Sequence, residues 1–266
     1  MKWNAADYAA NSVVQLSWAR ELIATLALRG DEHLLDVGCG DGKVTAELAR
    51  AVPRGSVVGV DASPEMIAFA RKTFPASEFS NLKFHVADAR KISFAAVSFA
   101  AGFDLVFSNA ALHWVDDHAA FLRGAASVLK PGGRLVVSCG GQGNAHDVFL
   151  ALRPEMRLTR WRDFFRKMPV PYFFYAPGDY EQWLPECGLK IQALKLAPKD
   201  AAYAGAEDFA TWLRTTWLPF VQRVPEPLRE EFIAAVTARY LAKHPPDAAG
   251  QVHVRMVRLE LAAVKI

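Results

Sequence analysis

The chemistry of this chain gathers around three acids and three glycines. The run Asp36-Val-Gly-Cys-Gly-Asp-Gly42 is followed, twenty-one residues past Gly40, by Asp61 in Val57-Val-Gly-Val-Asp61. Glycines at 38, 40 and 42, with Cys39 between the first two, let the backbone pass close beneath a ligand where a Cβ would collide. An acid at the tip of the next strand is placed to accept from a pair of ribose hydroxyls. These are parts of a nucleoside-cofactor site. A dinucleotide fingerprint would need Gly or Ala at position 43, where this chain has Lys43. It would also offer a bare helix N-terminus to a pyrophosphate, whereas Asp36 precedes the glycines and Asp41 sits among them. A carboxylate here repels phosphate and suits a cationic ligand with an ammonium group.

S-adenosyl-L-methionine is such a ligand, and it is the expected cofactor. Asp36 lies toward its aminoacyl end, directly or through water, or else caps the next helix. Asp61 is the ribose acceptor, and its neighbours Ala62 and Met66 touch the adenine or pack in the core.

The elements that must hold these residues alternate. Leu34–Val37, Val57–Val60, Leu82–Val86, Leu105–Phe107 and Leu135–Ser138 are short apolar runs of the kind buried on both faces of a parallel sheet. Ser63-Pro-Glu-Met66 starts a helix, with Ser at the cap and Pro in the first turn. His118–Leu129 has helical spacing and stops at Lys130-Pro-Gly-Gly133. The alternation predicts a doubly wound α/β sheet with its ligand at the carboxyl ends of the strands. Residues 146–185 are rich in aromatics, arginines and prolines, and read as an irregular helical insertion covering the site. Leu189–Leu196 and Val252–Val264 read as late strands, with helices at Glu207–Trp217 and Glu226–Lys243 between them. The organisation expected is a helical lid at 1–30, a cofactor-binding core at 31–145, and at 146–266 a helical cap plus the last two strands, forming one structural domain with the core.

Taken in order, Asp36-Val-Gly-Cys-Gly-Asp-Gly42, Asp61, Val86-Ala-Asp88-Ala89, Phe103-Asp-Leu-Val-Phe-Ser-Asn109 and Leu129-Lys-Pro-Gly-Gly-Arg134 resemble the successive motifs of class I S-adenosylmethionine-dependent methyltransferases. The resemblance implies a Rossmann-like, mostly parallel seven-stranded sheet with an antiparallel edge. It implies that Asp88 accepts from the adenine amino group while the Ala89 amide meets a ring nitrogen. It also implies that the methionyl moiety passes Asn109 and Ala110, and that Tyr8 and Gln15 lie in a segment folding over the site. A closer resemblance, to the trans-aconitate methyltransferase group of carboxyl O-methyltransferases, rests on Trp3-Asn4…Tyr8, Asn109-Ala-Ala-Leu-His-Trp-Val115, Trp212…Pro219, Leu228 and Val254–Arg258. The start departs from that group, with Ala5 where proline is usual, so a tricarboxylate is not implied. Related insect and plant enzymes hold a carboxylate between a Gln before the first strand and a Trp after the fourth, and Gln15 and Trp114 stand in comparable places. The expected acceptor is therefore a small-molecule carboxylic acid. Two readings stand beside it: carbon or phenol methylation with His113 or His118 as base, and a non-catalytic cofactor-binding sensor or subunit.

Bulk properties narrow the classes further. A net charge of +3 is too small to imply a polyanion partner. The fourth strand ends Asn109-Ala-Ala-Leu112, unlike the prolyl motif of adenine N-methyltransferases, and there is no Pro-Cys nucleophile for cytosine. Arginines 153, 157, 160, 162 and 166 read as a solvated helix face. Three scattered cysteines indicate neither a disulfide framework nor a metal site. No run approaches the roughly eighteen apolar residues of a membrane span, and no signal peptide is evident. The expectation is a cytoplasmic monomer or weak homodimer that binds neither nucleic acid nor membrane.

Overall fold

The computed structural model describes residues 13–97, 99 and 101–266, with side chains from Leu16 onward. Seven strands, β1 (His33–Val37), β2 (Ser56–Asp61), β3 (Leu82–Val86), β4 (Phe103–Asn109), β5 (Leu129–Gly140), β6 (Leu189–Tyr203) and β7 (Val252–Lys265), form one sheet in the order β3-β2-β1-β4-β5-β7-β6. The first five run parallel, and β7 pairs antiparallel with β5. The helices are α1 (Val13–Ala24), α2 (Lys43–Ala51), α3 (Pro64–Thr73), α4 (Phe94–Val97), α5 (His118–Val128), α6 (His146–Arg157), α7 (Pro177–Glu186), α8 (Ala206–Thr216), α9 (Leu218–Val221) and α10 (Arg229–Leu241).

Chain contacts divide the described residues into two compact units. The larger comprises residues 13–142 with Tyr172–Ala197 and Arg258–Ile266; the smaller comprises Gly143–Pro171 and Pro198–Val257. In the larger unit the strands are apolar on both faces, as a doubly wound sheet requires. Leu34, Val57, Leu105 and Phe107 pack with Ala46, Leu48 and Ile67 on one side, while Leu35, Val58, Val60 and Val106 pack with Phe121, Leu122 and Leu184 on the other. The expected strand starts hold to within two residues except at β5, which begins at Leu129 and not at Leu135. Ser63 Oγ accepts from the Met66 amide at 3.2 Å, and Asp117 caps α5 by accepting from Ala120. Lys130-Pro-Gly-Gly133 falls inside β5, where the register against β4 shifts and Gly132 takes a left-handed φ of +74°.

The smaller unit is helical around its own aromatic core. Trp161 meets Phe232 edge-on at 5.4 Å, Phe209 stacks on Tyr240 at 4.7 Å, and the buried Glu155 is paired with Arg239 at 2.6 Å. The five arginines at 153–166 are exposed, and those at 160 and 166 pair with Glu231 and Asp163. Residues 172–175, expected within a helical insertion, are neither helix nor strand and belong to the larger unit. Among the described residues, no helix is long and apolar enough to cross a membrane.

Candidate active site

At the carboxyl end of β1 the chain turns through three left-handed glycines, Gly38, Gly40 and Gly42, with φ of +79°, +53° and +83°. Gly38 is required twice over, because a Cβ there would stand 2.1 Å from the Cβ of Ala111. The loop is pinned by backbone bonds: the amides of Gly38 and Cys39 both donate to Val60 O, at 2.7 and 3.0 Å. The concavity above it is lined by Leu16, Asp36, Gly38, Cys39, Gly40, Asp41, Lys43, Val44, Asn109 and Ala110. Leu16 comes from α1, so the segment before the first strand does contribute to this site.

Asp61, at the tip of β2, is oriented by the sequence around it. The Gly40 amide donates to its Oδ2 at 3.0 Å and the Ser63 amide to its Oδ1 at 2.8 Å. Burial raises its pKa, and those amides pull it back. Asp36 is buried behind the loop, and burial pushes its pKa up to about 7 against the hydrogen bond from Thr45 Oγ1, with the Asp61 charge adding to the rise. Asp41 is buried too; its Oδ2 makes no hydrogen bond and lies 3.3 Å from Lys43 Nζ. Asp36 and Asp41 thus line one concavity, with Asp61 hydrogen-bonded to the Gly40 amide at its rim, and a positive charge placed there is attracted to these carboxyl groups. That is the electrostatic profile of a cation-binding pocket, which fits the ammonium and sulfonium of S-adenosylmethionine.

The residues expected on the adenine side are less poised. Met66 is buried in the start of α3, whereas Ala62 is exposed. Asp88 caps a 3-10 turn at Ala89–Lys91, accepting from the Arg90 amide at 2.9 Å, and its carboxylate is gripped by the Arg90 guanidinium, with Nη2 to Oδ2 at 2.6 Å. Arg90 holds the Asp88 pKa below its usual range, so the group stays an ionised acceptor. Arg90 also reaches Asp116 at 3.0 Å and so ties the β3 end to the loop after β4.

At the end of β4, Ala110 adopts a left-handed φ of +56°, a strained conformation for alanine. The turn sets Ala111 against Gly38 and directs the chain into a 3-10 turn, Leu112–Trp114. His113 Nδ1 accepts from the Gly140 amide at 3.3 Å, which leaves the ring proton on Nε2 when the imidazole is neutral. Burial, reinforced by the charge of Arg258, depresses its pKa to about 3. Neutral His113 therefore carries a donor at Nε2. His118 is a core residue: its ring nitrogens lie 2.6 Å from Tyr180 OH and 2.7 Å from Leu112 O, and burial lowers its pKa to about 4. These contacts speak against the alternative reading in which one of the two histidines is a general base.

Trp114 is half-buried and sits 4.7 Å, centroid to centroid, from Tyr172, which stacks at 5.5 Å on Phe174. The Phe173 amide donates to His113 O at 2.9 Å and so fixes this aromatic wall against the 3-10 turn. Tyr172 and Phe174 were not legible as site residues, because the prolines around them read as part of an insertion. Arg258 is a second residue the sequence reading passed over; it lies on β7, is 5% exposed, and donates to Asn109 Oδ1 at 3.0 Å and to Ser138 Oγ at 3.1 Å. The same strand carries Arg255 and Glu260, so its composition does not single Arg258 out. Tyr8 and the side chain of Gln15 lie outside the described residues.

Residues 28–158 match a family model described as a methyltransferase domain. The chain is 30% identical over 228 residues to an uncharacterized methyltransferase of Schizosaccharomyces pombe, covering 84% of each. It is also 30% identical to a trans-aconitate 2-methyltransferase of Rhodopseudomonas palustris, covering 99% of each. Among solved structures, phosphoethanolamine N-methyltransferase 2 of Haemonchus contortus, bound to S-adenosyl-L-methionine, superposes with a TM-score of 0.60 at 15% identity, over 98% of this chain and 56% of that one.

Proposed function

This chain belongs to the S-adenosylmethionine-dependent methyltransferases, and from that premise we propose that its acceptor is a small-molecule carboxylic acid, esterified at one oxygen. Full-length similarity to proteins named for methylating trans-aconitate supports the carboxylate class. The observation that carries the reading is the state of His113: its Nδ1 accepts from Gly140, and its pKa of about 3 makes it a poor base at neutral pH.

A phenol, an amine or a carbon acid needs a group that removes a proton. A carboxylate, with a reference pKa near 4, arrives ionised and needs only to be held in line. The bound cofactor supplies a methyl group on a sulfonium whose departure leaves a neutral thioether. What remains for the protein is positioning and exclusion of water. In this reading Asp61 holds the ribose hydroxyls, Asp36 faces the ammonium, Asp88 and the Ala89 amide meet the adenine, and Ala62 and Met66 border it. The Gly38–Gly40 backbone with Cys39 passes beneath the cofactor, while Asn109 and Ala110 flank its methionyl part. Trp114 holds one acceptor oxygen by a donated hydrogen bond.

A methyl-transfer screen with labelled cofactor over carboxylic acids, phenols and amines tests this. Label should appear in base-labile esters. Label confined to base-stable ethers, amines or carbon products overturns the carboxylate assignment.

A further inference from the structure

We propose that Asp41 is a second carboxylate for the cofactor's ammonium group, and that Lys43 holds the ammonium's place until the cofactor displaces it. This rests on S-adenosylmethionine occupying the concavity described above and deepens that placement.

Asp41 stands between two left-handed glycines, Gly40 and Gly42, so its neighbours set the turn that brings it inward. The residue is 6% exposed and lines the concavity together with Asp36 and Lys43. Its two oxygens differ. Oδ1 accepts from the Lys43 amide at 3.2 Å, a favourable place for a carboxylate at the start of α2. Oδ2 is buried and makes no hydrogen bond, and it meets Lys43 Nζ at 3.3 Å as an ion pair only. A buried acceptor without a donor carries an uncompensated desolvation cost. A donor supplied by a ligand removes it.

Asp36 alone does not answer the cofactor's charge. Its Oδ2 already accepts from Thr45, and burial pushes its pKa up to about 7, so at neutral pH it is divided between protonated and ionised forms. Asp41 supplies a further acceptor in the same concavity. An α-ammonium is the same kind of group as Lys43 Nζ, a compact charge with three donors, and can replace it at Asp41 like for like. Lys43 is suited to leaving. It is the first residue of α2, at the positive end of the helix dipole, where a cation is disfavoured. Its side chain is 31% exposed, so a flexible stem can carry the charge to water without rearranging the loop.

The test is calorimetry on wild type, Asp41→Asn and Lys43→Met with two probes: S-adenosylhomocysteine and its deaminated analogue, which lacks only the ammonium. Asp41→Asn keeps the acceptor for the Lys43 amide and should weaken S-adenosylhomocysteine roughly tenfold to a hundredfold, as loss of a hydrogen bond to a charged group does. The analogue should stay within about twofold, a separation that a general loosening of the loop does not produce. Lys43→Met should tighten S-adenosylhomocysteine severalfold, because no resident cation has to be displaced, and leave the analogue unmoved. The double variant should bind like Asp41→Asn, since Lys43 acts only through Asp41. If Asp41→Asn does not fold, Lys43→Met carries the test with its two probes. Equal weakening of both probes in Asp41→Asn overturns the proposal and leaves Asp41 a loop-shaping role. Unchanged S-adenosylhomocysteine affinity overturns it too, and assigns the ammonium to Asp36. Weaker S-adenosylhomocysteine binding in Lys43→Met overturns the place-holding role. A wild-type protein that binds neither S-adenosylmethionine nor S-adenosylhomocysteine overturns the cofactor placement itself, and shows this before any variant is made.

Discussion

The Thr45 hydroxyl donates to Asp36 Oδ2 at 2.7 Å, joining the first turn of α2 to the end of β1 directly beneath the glycine loop. The bond satisfies one oxygen of a buried carboxyl group whose pKa nevertheless rises to about 7. A carboxyl group with a raised native pKa favours folding fully only below its unfolded pKa, and that contribution is lost as pH rises toward 7. The protein thus gives up stability at neutral pH to keep a carboxylate where a cation can use it.

Asp36→Asn keeps an acceptor for Thr45 and removes the buried charge. At pH 8 the variant should be more stable than wild type, by up to about 4 kcal/mol on a rise of about three pH units. The difference should vanish toward pH 4. Affinity for S-adenosylmethionine should fall at least about tenfold, as expected when a charge-assisted contact is lost. Urea titrations at pH 8 and pH 4, with calorimetry at pH 8, check both halves. A variant less stable than wild type at pH 8 would contradict the buried-charge account.

Gly38 and Gly132 separate backbone conformation from crowding. Both have left-handed φ, +79° and +74°, but a Cβ at Gly38 meets Ala111 at 2.1 Å while one at Gly132 meets nothing within 4 Å. Gly132→Ala should cost only the conformational penalty, about 1–2 kcal/mol. Gly38→Ala adds an overpacking cost of about 1–3 kcal/mol, and it displaces the turn that carries His113 and Trp114. Chemical denaturation of the pair should rank them in that order, with cofactor binding lost only in Gly38→Ala. Equal costs would mean that Ala111 yields freely.

Much of this site is local in sequence, which is why it could be read. The glycine loop, Asp61 and the Ser63 cap each depend on neighbours a few residues away, and the apolar strand runs follow from burial on two faces. The parallel core of the sheet emerges from the same pattern, whereas its antiparallel edge was implied by the family resemblance. Arg258 is different: its partner Asn109 is 149 positions away, and only strand pairing brings them together. Tyr172 and Phe174 were hidden because proline-flanked aromatics carry no periodicity, and their placement depends on the Phe173 amide finding His113 O. The proton affinity of the histidines is likewise not legible in residue type, because burial sets it.

His118 should limit stability in acid. Its native pKa is near 4 against an ordinary value of 6.5, because the ring is desolvated between Tyr180 and Leu112. For a histidine with a depressed pKa the unfolded chain binds the proton first, so stability is complete above about 6.5 and declines as pH falls toward 4. At pH 5, about 1.5 pH units below the unfolded value, the loss is about 2 kcal/mol, and His113 adds a loss of the same sign. His118→Gln should be less stable at pH 8 yet lose about 2 kcal/mol less than wild type on moving to pH 5. An identical pH slope in the two proteins, measured by urea denaturation, would remove His118 from the account.

Trp114→Phe tests the acceptor chemistry itself. Phenylalanine retains a ring to pack against Tyr172, 4.7 Å away in the wild type, and deletes only the indole N–H. Loss of a hydrogen bond to a charged oxygen costs about 1.5–3 kcal/mol, or roughly tenfold to a hundredfold in kcat/KM for a carboxylic acid. S-adenosylhomocysteine affinity should stay within about twofold. Because His113 is neutral down to a pKa of about 3, and the acceptor is already ionised, kcat/KM should be nearly flat from pH 8 to about 5.5. Any decline there should follow the loss of folded protein set by His118, and correcting for the folded fraction should flatten it. A corrected rate that instead falls through the ordinary histidine range, is abolished in His113→Ala and survives Trp114→Phe would reject esterification and require a proton-abstracting base at this site.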